Sequence, residues 1–221
     1  MPRLARVQPD GLNPAVACMN LPNQLTVSRF ILTIIFLVAL FTEFPLNTTV
    51  ALLLFGVAGI TDWLDGVIAR RRKLITNFGK LMDPLADKIL TCSAFIAFVG
   101  EGWIDAWMVV LIVARELAIT GLRLLAASKN VVLAAEGWGK HKTISQITTT
   151  IAILVLVSYQ EWGWLGRPFA IELAGRAWVA WFTDLSKWLT VILTALSGWL
   201  YLWNNRDVYS TAAPIKGATE K

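Results

Sequence analysis

Residues 48–90 read TTVALLLFGVAGITDWLDGVIARRRKLITNFGKLMDPLADKIL. Two apolar runs flank a basic loop, and four aspartates stand where those runs meet the loop. A carboxylate deep in a bilayer costs about 2.5–3.5 kcal/mol even on the lenient insertion scale. Acidic residues at these positions therefore indicate a functional site on a membrane hairpin. The aspartates are Asp62, Asp65, Asp83 and Asp87.

The whole chain has the composition of an integral membrane protein. Of its 221 residues, 56% are hydrophobic and 16% are charged, and its mean hydropathy is +0.60. Average soluble domains are about 45–50% apolar and about 25% charged. These values exclude a disordered chain, a coiled coil and a nucleic-acid-binding tail. Two cysteines and one histidine provide neither a disulfide framework nor a histidine metal site nor a Ser-His-Asp triad.

An apolar run of about 20 residues can cross a bilayer as a helix. The sequence predicts six such spans, and hence an all-α, polytopic membrane protein. The predicted spans are Leu25–Phe41, Thr48–Ile68, Pro84–Gly100, Ala106–Ala127, Thr143–Tyr159 and Ala180–Trp203. We divide the chain into a cytoplasmic or interfacial N-terminal segment (1–23), a six-helix domain (24–203) and a cytoplasmic tail (204–221).

The distribution of basic residues predicts the orientation of the spans. Thirteen Lys and Arg residues lie at the N-terminus, in the loops after the second and fourth spans, and in the tail, whereas the other loops hold Arg167 and Arg176. Basic loops stay in the cytoplasm, so both termini and the aspartates should face it. The net charge of +5 is then a topology signal rather than a sign of a nucleic-acid partner.

The spacing of the aspartates predicts a metal site. The first pair is spaced i,i+3 and the second i,i+4, so each pair lies on one face of its helix. The linker Arg71–Met82 is short enough for an antiparallel hairpin, with a tight turn at Gly79. Converging carboxylates stay ionised only with cations between them, and oxygen ligands select Mg²⁺ or Mn²⁺. Four carboxylates indicate two ions, an arrangement that recurs in displacement at phosphorus.

Each of these aspartates also has a structural interpretation. Asp83 before Pro84 would make a good helix start, with the aspartate as N-cap. Asp87 and Lys88 would make an ordinary helix-end pair. The set of four at helical spacings across one hairpin favours the metal site over these alternatives.

Small and basic residues accompany the aspartates. Gly66 offers a backbone that a nucleotide or sugar can approach closely, and Arg70 can bind a diphosphate through its guanidinium. The alternative role of Gly66 is small-residue helix packing, which suits Gly56 and Gly59 better. The alternative role of Arg70 is a charge that sets the membrane topology.

The residues around the basic loop form a spaced pattern of eight positions. They read Asp62-x-x-Asp65-Gly66-x-x-Ala69-Arg70 and, after eight further residues, Gly79-x-x-x-Asp83-x-x-x-Asp87. This pattern resembles the signature of the CDP-alcohol phosphatidyltransferase family. Three flanking stretches are similar to bacterial phosphatidylglycerophosphate synthases, and the likeness covers about Asn20 to Thr143. They are Asn20–Arg29, Arg115–Arg123 and Gly139–Thr143.

The resemblance implies a six-helix homodimer in a bacterial cytoplasmic membrane, with membrane lipids as neighbours. It implies two Mg²⁺ or Mn²⁺ ions, CDP-diacylglycerol as donor and CMP as leaving group. Carried onto this chain, Asp62, Asp65 and Asp83 are metal ligands, and Asp87 is both a ligand and the general base. The residues expected to bind the donor are Asn23, Thr26, Gly66, Ala69, Arg70 and Gly79.

Basic residues inside or beside the spans are candidates for binding the acceptor. Arg115 and Arg123 share one face of the fourth span, and Lys140 and Lys142 open the fifth. Charges inside a span face a cavity or a partner, so these residues suit a second phosphate or, alternatively, a carboxylate such as Glu116. A phosphorylated acceptor fits sn-glycerol 3-phosphate or an inositol phosphate, and the flanking likeness favours the former.

Two further interpretations stay open. The same chemistry could use serine or phosphatidylglycerol as acceptor. Paired intramembrane carboxylates also line ion paths, as in a divalent-cation carrier. A carrier should carry acidic residues near the midplane of several helices, whereas these four cluster at one edge of one hairpin.

Overall fold

The computed structural model describes the backbone of residues 21–72, 77–128 and 138–204. It describes the side chains of these ranges except at 21–26, 62–72, 77–87, 125, 127–128 and 138–140. Over these ranges the chain is almost entirely helical, as predicted. Six α-helices follow one another: α1 (Leu21–Phe41), α2 (Asn47–Arg72), α3 (Asn77–Gly100), α4 (Ala106–Ser128), α5 (Trp138–Ser158) and α6 (Trp178–Asn204).

Between α5 and α6 the chain forms structure that hydropathy did not predict. A 3₁₀ segment (Tyr159–Ala170) is followed by a small antiparallel hairpin of β1 (Glu172–Leu173) and β2 (Arg176–Ala177). The 3₁₀ segment kinks at Gly163, where a φ of 56° suits glycine. This region contains much of the Trp-rich stretch 158–181.

The start of α3 corrects three expectations about the loop before it. The predicted bounds of the linker, Arg71–Met82, are wrong. Because α2 ends at Arg72 and α3 begins at Asn77, only residues 73–76 separate the two helices. Gly79 lies within a helix rather than in a turn. Asp83 is not an N-cap, since Pro84 sits in the helix interior, where membrane helices tolerate proline. The helices extend past the apolar runs, because backbone hydrogen bonding does not stop where hydropathy falls.

The interior of the bundle is built from aromatic and aliphatic side chains. Phe36 of α1 packs against Phe55 of α2 with ring centroids 5.9 Å apart, and both rings are buried. Phe95 and Phe98 of α3 are fully buried beside them in the same core. Helix α1 thus packs against both α2 and α3, the two helices that carry the aspartates.

A line of hydroxyl groups joins α5 to α6. The Thr149 hydroxyl donates to the Ser186 carbonyl at 2.9 Å and lies 2.8 Å from the Thr190 hydroxyl. Thr183 donates to the carbonyl of Ala152 at 3.1 Å. Small hydroxyl residues let two helices approach closely and satisfy each other's polar groups, as in membrane helix pairs.

The outer surface of the bundle is apolar. Each helix exposes large hydrophobic side chains, including Ile34, Leu53, Ile96, Val110, Ile144 and Leu196. Among the described residues, the helical stretches His141–Ala170 and Trp178–Asn204 are long and apolar enough to cross a membrane. Shorter apolar helical stretches are Val27–Phe41, Asn47–Thr61 and Lys88–Gly100. A continuous apolar exterior of this kind is typical of helices that contact lipid.

The 3₁₀ segment caps the N-terminal end of α2. The Glu161 carboxylate accepts hydrogen bonds from the Thr48 hydroxyl at 2.7 Å, from the Thr49 backbone N–H at 3.0 Å and from the Thr49 hydroxyl. The Trp162 indole N–H donates to the same Thr49 hydroxyl at 2.8 Å. A carboxylate on the first-turn N–H groups of a helix stabilises that end. The Trp-rich stretch therefore braces the helix that carries Asp62 and Asp65.

Candidate functional site

The four aspartates all lie on helices, two on each side of the short connection. Asp62 and Asp65 fall in the second half of α2, and Asp83 and Asp87 in the first half of α3. Their helical setting agrees with the expected i,i+3 and i,i+4 spacings. Their side chains lie outside the described set, so their convergence stays a prediction.

The donor set fits a pair of hard divalent cations. All four residues offer carboxylate oxygens, and each pair is placed on one face of a continuous α-helix. Among the residues whose side chains are described, no group of three or more His, Cys, Asp or Glu forms a metal site. The four aspartates stay a predicted metal-ligand set, since their side chains are not among those described.

A buried carboxylate organises the basic residues of α3, α4 and α5. Glu116, only 3% exposed, accepts a contact from the Lys142 ammonium and hydrogen bonds from Arg115 Nη1 and Gln146 Nε2, both at 3.3 Å. The Lys88 ammonium lies 4.0 Å from its other oxygen. The structure therefore brings the predicted Arg115 and Lys142 together around Glu116, as the alternative interpretation also required.

Lys88 is held in this group by a second contact. Its ammonium donates to the Thr120 hydroxyl at 2.8 Å, and that hydroxyl donates to the Glu116 backbone carbonyl at 2.7 Å. Lys88 follows Asp87 directly on α3. The group of Lys88, Arg115, Glu116 and Lys142, here called the cation cluster, therefore includes the residue that follows the predicted metal ligand Asp87 in the sequence.

The side chain of Arg115 packs closely against Gly198 of α6. Its Cγ would lie 2.8 Å from a Cβ built on Gly198, so only a glycine leaves room for the side chain to pass. By contrast, a Cβ at Gly56 or Gly59 would meet no described atom within 4 Å, so their expected role in close helix packing stays a prediction. Gly198 is thus a close-approach glycine that hydropathy could not identify.

Arg123 does not join the cation cluster. Its Nε donates to the Tyr201 hydroxyl at 3.3 Å, and its guanidinium carbon lies 5.5 Å from the centre of the Tyr201 ring on α6. A charge inside a span requires a partner, and the partner of Arg123 is Tyr201 rather than Glu116. A role for Arg123 in binding the acceptor is not supported by these contacts and stays a prediction.

The remaining candidates lie where side chains are not described. Lys140 stands in the first turn of α5, and Asn23 and Thr26 stand near the start of α1. Gly66, Ala69 and Arg70 follow Asp65 on α2, and Gly79 precedes Asp83 on α3. Their proposed contacts with the donor stay predictions.

Two residues of the cation cluster region escaped the sequence analysis. Lys88 was explained by its neighbour Asp87, although a lysine at the start of an apolar run carries the same signal as Arg115. The sequence did not single out Gln146. A glutamine in a span commonly hydrogen-bonds to another helix, so it does not by itself indicate a binding site.

Comparison with known proteins agrees with the sequence pattern. The sequence model of CDP-alcohol phosphatidyltransferase matches residues 19–203. A Bacillus subtilis protein named CDP-diacylglycerol–glycerol-3-phosphate 3-phosphatidyltransferase is 38% identical over 205 residues, covering 87% of this chain and 98% of that protein. A Rickettsia bellii protein of the same name is 33% identical over 182 residues, covering 82% and 93%.

A third relative carries a related name. The probable phosphatidylglycerophosphate synthase of Mycobacterium tuberculosis is 41% identical over 140 residues, covering 62% of this chain and 66% of that protein. The region matched by the family model, residues 19–203, includes α1 to α5, all of α6 except Asn204, the four aspartates and the cation cluster. The chain therefore belongs to the CDP-alcohol phosphatidyltransferase family.

Proposed function

We propose that this protein transfers the phosphatidyl group of CDP-diacylglycerol to sn-glycerol 3-phosphate and releases CMP. The product is phosphatidylglycerophosphate, a precursor for phosphatidylglycerol and cardiolipin. The observation that supports a phosphorylated acceptor is the cation cluster, which gathers Lys88, Arg115 and Lys142 around Glu116. The names of the relatives in Bacillus subtilis and Rickettsia bellii support the same acceptor.

The protein spans the bacterial cytoplasmic membrane six times, with both termini and the reaction site on the cytoplasmic side. The apolar exterior of the six helices and the basic loops of the sequence support this topology. It acts as a homodimer, as the family resemblance implies. A protease added to sealed, right-side-out vesicles should leave a tag fused after residue 221 intact, and cleavage of the tag would contradict this orientation.

The four aspartates would hold two Mg²⁺ or Mn²⁺ ions. When bound, such ions supply positive charge to the phosphoryl oxygens and to the departing CMP. Asn23, Thr26, Gly66, Ala69, Arg70 and Gly79 bind the cytidine diphosphate part of the donor. The diacyl tails remain in lipid against the apolar exterior of the bundle.

Asp87 accepts the proton of the acceptor's primary hydroxyl. The hydroxyl oxygen attacks the β-phosphorus of the donor, a new P–O bond forms, and the P–O bond to CMP breaks. A positioned carboxylate supplies a base within reach of the hydroxyl, as general-base catalysis requires. Lys142 and Arg115 hold the acceptor's own phosphate, so its hydroxyl end points toward Asp87.

The decisive experiment is an acceptor panel. Purified protein receives CDP-diacylglycerol and Mg²⁺ together with glycerol 3-phosphate, inositol phosphate, serine or phosphatidylglycerol in separate reactions. We expect CMP release and a new lipid with glycerol 3-phosphate. Release of CMP only with another acceptor would contradict the proposed function.

A further inference from the structure

Glu116 is the only described carboxylate that contacts cations from three helices. It receives Lys142 from α5 and Arg115 from its own helix α4, and Lys88 of α3 lies 4.0 Å away. With Glu116 and Lys142 both at least 95% buried, this arrangement lies inside the bundle rather than on its surface. Burying an ionised carboxylate is costly unless it is paired, so Glu116 is expected to have a role inside the bundle.

The charges of the cation cluster do not cancel. Three cations and one carboxylate leave an excess of two positive charges. A phosphate monoester carries about −1.5 to −2 charges at pH 7, so it would neutralise this excess. Without Glu116, three like charges at this spacing would repel one another and move apart.

The cluster keeps donor groups free for such an anion. The Lys88 ammonium has three donors, and Thr120 takes one of them at 2.8 Å. Its side chain is 27% exposed, against 6% for Lys142, so it is the cation that a ligand can reach most easily. The Nε of Arg115 is buried and has no hydrogen-bond partner among the described residues.

We propose that Glu116 is a positioning residue that holds Lys88, Arg115 and Lys142 as one anion-binding unit, and that Lys88 is a further residue contacting the acceptor's phosphate. This inference rests on the proposed function, because it assigns the unit to the phosphate of glycerol 3-phosphate. Glu116 touches no substrate itself; it acts through the geometry of the three cations.

Two simpler roles for Glu116 predict different kinetics. If Glu116 acted only through its charge, its neutralisation would make the pocket more positive and would lower the KM for an anionic acceptor. If it only joined the helices, its loss would reduce the yield of folded protein and leave the KM of the surviving fraction unchanged. A positioning role predicts that the acceptor KM rises although a negative charge has been removed.

The test compares four variants of the full-length protein with wild type in vesicles containing CDP-diacylglycerol. They are Glu116→Gln, Glu116→Asp, Lys88→Met and the control Asp184→Asn. Asp184 of α6 also pairs with cations, Arg176 at 3.2 Å and Lys187 at 3.4 Å, but it is partly exposed and neither partner belongs to the cation cluster. CMP release gives kcat and the KM for each substrate separately.

We expect Glu116→Gln and Lys88→Met to raise the KM for glycerol 3-phosphate by about tenfold, the effect of losing or misplacing one charge-assisted hydrogen bond. The KM for CDP-diacylglycerol should change by less than about twofold. Glu116→Asp should recover part of the loss, and Asp184→Asn should match wild type. Lys88 is partly exposed, so its variant tests the unit even where Glu116→Gln fails to fold.

Three results would overturn the inference: a lower acceptor KM in Glu116→Gln, an unchanged acceptor KM in both Glu116→Gln and Lys88→Met, or equal rises for both substrates. The wild-type reaction separates this inference from the proposed function. If wild type uses a different phosphorylated acceptor, that acceptor replaces glycerol 3-phosphate and the same KM pattern supports the unit. If wild type uses only an acceptor without phosphate, the anion-binding unit is refuted.

Discussion

Replacing Gly198 by alanine should weaken acceptor binding without disturbing the donor. A Cβ at this position would lie 2.8 Å from Cγ of Arg115 and 3.8 Å from its Nε. Carbon atoms pack best at about 3.5–4.0 Å, so the Arg115 stem must move by about 0.7 Å. Because Cγ lies near the root of the side chain, the guanidinium moves with it.

The size of the effect follows from this displacement. Over-packing of a tight site typically costs about 1–3 kcal/mol. If that cost falls on the acceptor-bound state, binding weakens by about 5- to 100-fold, at about 1.4 kcal/mol per tenfold change. The Arg115–Glu116 hydrogen bond is already long at 3.3 Å, so a shift of this size breaks it. We expect the KM for glycerol 3-phosphate to rise by about tenfold, in the lower half of that range.

The stability of α6 should decline by less than the over-packing cost in this variant. Alanine is a better helix former than glycine by about 1 kcal/mol, which offsets part of the strain. Gly56→Ala is the matched control, because its new Cβ would meet no described atom within 4 Å. Both variants are assayed for CMP release at varied acceptor and at varied donor concentrations.

An unchanged acceptor KM in folded Gly198→Ala would refute the placement of Arg115 at the acceptor. Equal rises in the KM for acceptor and donor would also refute it, since they indicate a general distortion of the bundle.

Three further predictions follow from the same site and fold. Asp87→Asn should lower kcat by roughly 10²- to 10⁴-fold, the usual share of a general base, while CDP-diacylglycerol still binds; near-normal turnover would remove Asp87 from this role. EDTA should abolish CMP release, and added Mg²⁺ or Mn²⁺ should restore it; release that resists EDTA would contradict the two-ion site. Glu161→Gln removes a carboxylate from the N-terminal end of α2 and should cost about 1 kcal/mol, or about 2–4 °C in the melting temperature. Glu172→Gln, at an exposed strand position, should melt like wild type, and equal melting of both variants would contradict the capping role.

The number and order of the helices could be predicted from hydropathy alone. A long apolar run in a bilayer must satisfy its backbone hydrogen bonds internally, and a helix does so. Helix ends could not be predicted, because α3 continues through polar residues to Asn77 although its apolar run begins near Pro84. The hairpin of β1 and β2 could not be predicted either, because its strands contain only two residues each and are too short to show a hydropathy pattern.

The site was partly predictable. Arg115 and Lys142 stood out because a charge in a span must have a partner. Which partner they share depends on how α4 and α5 are placed, and spacing along one helix carries no such information. For the same reason, the sequence could not predict that Arg115 packs against Gly198. It also could not predict that Glu161 caps α2, a contact between residues 112 positions apart.

The proposed function depends most on the convergence of four carboxylates around two cations. Crystals of the protein grown with CDP-diacylglycerol and Mn²⁺ would test it through the anomalous scattering of manganese. We expect two manganese peaks within coordination distance of carboxylate oxygens from α2 and α3, next to the donor's diphosphate. The four carboxylates are those of Asp62, Asp65, Asp83 and Asp87. Bound donor with separated carboxylates, or with no manganese between them, would contradict the account.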